Sequence, residues 1–105
     1  MGVREGSRMI KISQYQKMLE EGTRLLDTFT ISYPYGIYKD CRYSSTYDGM
    51  TSWINRLLTM VAESEPLKKE DPLYRLARGY RGKIGNLDCE SFKQLLESLK
   101  ERCPN

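Results

Sequence analysis

The stretch from Tyr47 to Val61 constrains this chain more than any other, because it holds the single tryptophan, Trp53. Tyr47, Met50, Ile54, Leu57, Leu58 and Val61 recur at steps of three and four, which predicts one apolar face of an α-helix. Trp53 borders that face and widens it. A helix carrying so much apolar surface is not stable alone in water, so the rest of the chain must cover it. Three further amphipathic segments are available to do so. The expected fold is therefore all-α: a compact bundle of about four helices, with a long Tyr-rich loop between the first two.

A chain of 105 residues can bury one core but not two. Residues 1–8 are polar and without pattern, and Met9 reads as a natural start. They are expected to be a disordered leader or an expression remnant, with residues 9–105 forming a single helical domain. No apolar run approaches the roughly 20 residues that span a bilayer, and the N-terminus lacks the apolar stretch of a signal peptide. Gly2 lacks the downstream Ser or Thr of a myristoylation signal, since Gly6 stands there. No membrane association is expected.

The first helix is predicted over about 13–29. Ser13 and Gln16 have the spacing of a capping box, and Tyr15, Met18, Leu19, Leu25, Leu26 and Phe29 form its stripe. Gly22 inside that stripe reads either as a tolerated cost of about 1 kcal/mol or as a point of close helix approach. Residues 30–46 hold Tyr33, Tyr35, Tyr38 and Tyr43 and are punctuated by Pro34 and Gly36. Alternation from Phe29 to Tyr43 suits a small hairpin, but an isolated hairpin is marginal. A long ordered loop with short extended pieces is expected.

Ser45 and Asp48 can cap the central helix, which should end near Glu63 before a polar linker containing Pro66. Asp71–Pro72 signals the next helix, with Leu73, Leu76, Ala77 and Tyr80 on its apolar face and Gly79 and Gly82 at its end. A last helix starts at Asp88. Leu87 and Phe92 are spaced as a hydrophobic staple, and Phe92, Leu95, Leu96, Leu99 and Cys103 share one face. Lys100 and Arg102 suit its negative end, and Pro104 stops it.

Histidine is absent, which excludes serine–histidine triads, histidine bases and His-ligated zinc. Cys41, Cys89 and Cys103 contain no Cys-x-x-Cys pair. Cys89 and Cys103 lie on one predicted helix, about 21 Å apart, too far to join. Reduced thiols and a cytoplasmic location are expected. The acidic pairs Glu20–Glu21 and Glu63–Glu65 fall on solvated helix faces or ends, and Arg81-Gly-Lys-Ile-Gly lacks the rest of a phosphate loop. No catalytic residue, metal or cofactor is indicated, and the chain is expected not to be an enzyme.

Two polar features remain. Lys68, Lys69, Arg75, Arg78, Arg81 and Lys83 form a basic cluster, readable as an ordinary solvated face or as a patch for nucleic acid or an acidic protein. The net charge of +3 is too mild to decide between them. Tyr33, Tyr35, Tyr38 and Tyr43 are readable as core cover, as a protein interface, or as a stacking platform for single strands.

The order of Trp53-x-x-x-Leu57-Leu58, Asp71-Pro72-Leu73-Tyr74 and Phe92-x-x-Leu95-Leu96-x-x-Leu99 resembles small helical N-terminal modules that precede effector domains in bacterial abortive-infection and other anti-phage proteins. The resemblance covers Met9 to Cys103. It implies a scaffolding or self-association module related to a larger protein, and it brings no catalytic residues. The expected function is a non-enzymatic interaction module with a protein partner or itself. The alternative is a small nucleic-acid-binding domain using Arg75–Lys83.

Overall fold

The computed structural model describes residues 2–36, 40–64 and 68–103, and the side chains of 12–36, 40–63 and 69–103. Four helices dominate: α1 (Gly2–Leu25), α2 (Tyr47–Ser64), α3 (Pro72–Arg81) and α4 (Cys89–Lys100). Two short strands, β1 (Ile31–Ser32) and β2 (Arg42–Tyr43), stand between α1 and α2. Single 3-10 turns at Leu26–Thr28, Lys68–Glu70 and Ile84–Asn86 join the elements. Among the described residues, no helix is long and apolar enough to cross a membrane.

Trp53 lies at the centre, 0% exposed. Its ring meets Phe92 of α4 edge-on at 5.3 Å, and Phe92 stacks on Phe29 at 5.2 Å. The indole Nε1–H donates to the Met18 carbonyl of α1 at 2.9 Å, so the polar atom of a fully buried ring is satisfied. The central stripe is buried as expected at Met50, Ile54, Leu57 and Val61, with Leu58 half-buried. Tyr47 departs from it: as the first residue of α2 it is 60% exposed, while Met50 one turn further along the same face is buried.

Gly22 is a close approach and not a tolerated gap. A Cβ there would stand 2.6 Å from Leu96 Cδ2 and 2.7 Å from Trp53 Cζ2. Its missing side chain is what lets α1 seat on both α2 and α4.

Two expected caps are revised. Ser13 and Gln16 lie inside α1, which begins at Gly2, so they form no capping box. Helix α2 is capped by Thr46, whose Oγ1 accepts from the Gly49 amide at 3.1 Å, and not by Ser45 or Asp48. The remaining caps fall as expected. Asp71 accepts from the amides of Leu73 and Tyr74 at 2.9 and 3.2 Å, with Pro72 opening α3. Asp88 accepts from the Ser91 amide at 3.1 Å, and Leu87 and Phe92 are both buried beside it. Gly79 lies within α3, which ends at Arg81. Pro66 and Pro104 lie outside the described residues.

The segment between α1 and α2 contains an antiparallel pair, Ile31 opposite Tyr43 and Ser32 opposite Arg42. This amends the all-α expectation to a mostly helical fold with a two-stranded sheet. Tyr43 also bridges Asp88, at the N-cap of α4. That anchorage gives the hairpin the helical support that an isolated one lacks. Gly36 adopts a φ of 82°, the left-handed conformation that glycine accepts without strain.

Candidate interaction surface

The exposed large apolar side chains among the described residues are Ile31, Tyr33, Tyr35 and Tyr47, at 39%, 50%, 84% and 60% exposure. All four fall on the hairpin or at the first residue of the helix that follows it. β1 places Ile31 at the start of an extended run, and the bend at Pro34–Tyr35 projects Tyr35 into solvent. Tyr33 meets Tyr43 edge-on at 5.7 Å. Together with Gly85 and Asn86 from the turn before α4, these two rings line a shallow pocket of about 260 Å³.

Of the four tyrosines singled out from sequence, Tyr33 and Tyr43 therefore converge, and Tyr35 stands exposed on the same hairpin. Tyr38 lies outside the described residues. Ile31, Tyr47, Gly85 and Asn86 join the surface without being expected there. Ile31 has a signal in the alternation through residues 29–43, whereas Tyr47 carries the opposite one, since its spacing assigns it to the core.

The basic residues are distributed along α3 and the turns at either end of it. Arg75, Arg78 and Arg81 lie on the exposed side of α3, away from buried Leu73, Ala77 and Tyr80. Arg75 Nε donates to the Lys69 carbonyl at 3.0 Å, and Arg81 Nε donates to Asn55 Oδ1 of α2. Lys83 sits over the Tyr80 ring, 5.7 Å from its centroid. The Lys68 side chain lies outside the described residues. These contacts hold part of each donor set against the protein itself, while Arg78 and Lys69 are exposed.

A groove of about 400 Å³ runs between α1 and α2, with Met18 and Met60 among its lining and Lys17, Glu21, Asn55 and Arg56 around them. Arg56 pairs with Glu21 across it at 2.7 Å. That pairing gives Glu21 a structural partner; Glu20 and Glu63 are exposed, and Glu65 lies outside the described residues. Among the described residues, no group of three or more Cys, Asp or Glu side chains is arranged to hold a metal ion.

The titration behaviour of the chain is set by structural contacts. Partial burial works to raise the Asp71 pKa, but the Arg102 hydrogen bond and charge and the amides of Tyr74 and Leu73 outweigh it, so the carboxyl is held below its ordinary range. Arg102 also donates to Tyr15 Oη at 3.4 Å and lies over that ring. Asp88 is held low by its hydrogen bonds to Ser91, against a smaller opposing effect of burial, with a further hydrogen bond from Cys41. Burial pushes the Cys103 thiol up.

The chain matches no protein-family model, no curated protein and no solved structure.

Proposed function

We propose that this domain is a non-enzymatic helical interaction module, binding a protein partner or a second copy of itself through its tyrosine hairpin. The observation that carries the reading is the confinement of the exposed large apolar side chains to Ile31, Tyr33, Tyr35 and Tyr47. Elsewhere among the described residues, large apolar groups are buried or half-buried. Tyrosines at a surface supply large contact area at low entropic cost and dominate many protein interfaces. The resemblance in helix order to the N-terminal modules of abortive-infection proteins extends the reading to a scaffold within a bacterial defence protein, acting in the cytoplasm.

The alternative, nucleic-acid binding through Arg75–Lys83, draws support from the exposure of Arg78 on the third helix and of Lys69 in the turn before it. It is the weaker reading because Arg75 and Arg81 each commit their Nε donor to the protein. A photo-crosslinking side chain placed at Tyr35, and separately at Arg78, tests one reading against the other in cells. Protein adducts from position 35, with none from position 78, are expected. Nucleic-acid adducts from position 78 alone would reverse the ranking.

A further inference from the structure

Strand β1 has a strand neighbour on one side only. The sheet order is β1–β2, and the far side of β2 is met by the Tyr43–Asp88 bridge, so among the described residues the open edge belongs to β1. Thr30 to Gly36 are exposed without interruption along it. Folded proteins usually blunt such an edge with a charge, a proline or a bulge. Ile31 and Ser32 pair with β2 in plain register and carry none of these; Pro34 stands beyond the strand. The surrounding sequence is also the longest uncharged run in the chain, eleven residues from Thr28 to Tyr38, although 30% of all residues are charged. That neutrality bears on what can occupy the edge. A two-fold pairing sets an edge against itself, so a charge on it meets its own kind. A neutral edge escapes that conflict, and it presents no charge for a partner of opposite sign.

We infer that β1 pairs antiparallel with β1 of a second copy of this chain, about a two-fold axis at Ser32, to make a four-stranded sheet across the dimer. The inference rests on the reading of the hairpin as an interaction surface and names its partner. With the axis at Ser32, Ile31 of each copy lies opposite Tyr33 of the other, an aromatic–β-branched pair of the kind that stabilises sheets. Ile31 and Tyr33 are 39% and 50% exposed, and strand alternation puts them on one face, with Tyr43 beside both. Four strands also replace a two-stranded ribbon, which is marginal by itself. The chain bends at Pro34–Tyr35, so the paired stretch is short and the dimer is weak and concentration-dependent.

The test is light scattering of the full chain across a concentration series. The mass should rise from 12.3 kDa to twice that value. Ser32→Lys and Ser32→Asp each set like charges opposite one another, and each should stay at the monomer mass where the unsubstituted chain has doubled. Mixed in equal amounts, the two should recover the doubled mass, which damaged folds could not do. In a mixture of nitrogen-labelled and carbon-labelled unsubstituted chains, nuclear Overhauser contacts between copies should join Ile31 to Tyr33, an answer that relies on no variant. A chain monomeric throughout, a dimer indifferent to both substitutions, folded variants that fail to recover on mixing, or contacts between copies lying elsewhere would each overturn the pairing. The interaction reading fails separately. A monomeric chain whose position 35 crosslinks to other proteins in cells loses the second copy and keeps the interface; a chain with no protein adduct there loses both.

Discussion

Trp53 reaches the Met18 carbonyl across the bare Cα of Gly22. In the ladder of α1 the Gly22 amide bonds the same carbonyl four residues back, so one oxygen serves a backbone donor and an indole donor at a single crossing. The fit at that point decides how closely three helices can pack.

Gly22→Ala should therefore destabilise the domain although alanine is the better helix former. The propensity gain is about 1 kcal/mol. Against it stand contacts of 2.6 and 2.7 Å to Leu96 and Trp53, and overpacking a tight core costs about 1–3 kcal/mol. A net loss of up to about 2 kcal/mol is expected in urea denaturation. Equal or higher stability would mean that α1 can shift off its neighbours freely.

Trp53→Ala should rank among the most damaging single changes. Truncating a fully buried Trp costs about 3–5 kcal/mol, a large part of the ~5–15 kcal/mol that holds a small domain together. The Phe92 contact and the Met18 hydrogen bond are lost with it. An unchanged melting temperature would refute a core centred on this ring.

Acid should weaken the fold through Asp71 and Asp88. Both carboxyls have folded pKa values below their unfolded ones. Their contribution is complete above the unfolded value, about pH 4, and is lost as pH falls through the folded one. Asp71→Asn retains a competent N-cap but loses the charge opposite Arg102. It should cost about 1–2 kcal/mol at neutral pH, with the deficit shrinking below pH 4. Denaturation curves from pH 2 to 7 would show whether the two chains converge.

Replacing Arg75, Arg78 and Arg81 by Gln should leave folding nearly intact, since exposed substitutions usually change stability by no more than about 0.5 kcal/mol each. No appreciable nucleic-acid binding is expected at physiological salt. Were binding found, each lost phosphate contact should reduce the slope of log affinity against log salt by about 0.7–0.9. Fluorescence anisotropy with DNA and RNA across salt concentrations decides the matter.

What sequence reveals here follows the range of the forces involved. The starts of α3 and α4 are legible because their caps and staple are local chemistry, with Asp71 bonding two and three residues onward. The buried face of α2 is legible from its period, but period alone does not say where along the helix the cover stops, and Tyr47, its first residue, lies outside the core while Met50 lies inside it. The choice of Thr46 over Ser45 as cap turns on a single residue of boundary. Arg102 and Asp71 each read as serving their own helix; their pairing spans 31 positions and emerges only when α3 and α4 pack. The tyrosine surface is half legible: Tyr33 and Tyr35 stand out in the sequence, but the pocket borrows Gly85 and Asn86 from a turn with no aromatic signal.

Arg102 also bears on the order in which the domain assembles. Its contact with Tyr15 bridges 87 positions. A contact of such sequence separation closes a long loop, and its entropy must be met before the contact stabilises anything. During synthesis the Arg102 side chain emerges after α1 and α2 can already meet at Trp53. Arg102 thus belongs to the closing step, not the nucleus. Its removal should leave the folding rate nearly unchanged and hasten unfolding, making the turn that follows α4 a governor of lifetime more than of assembly.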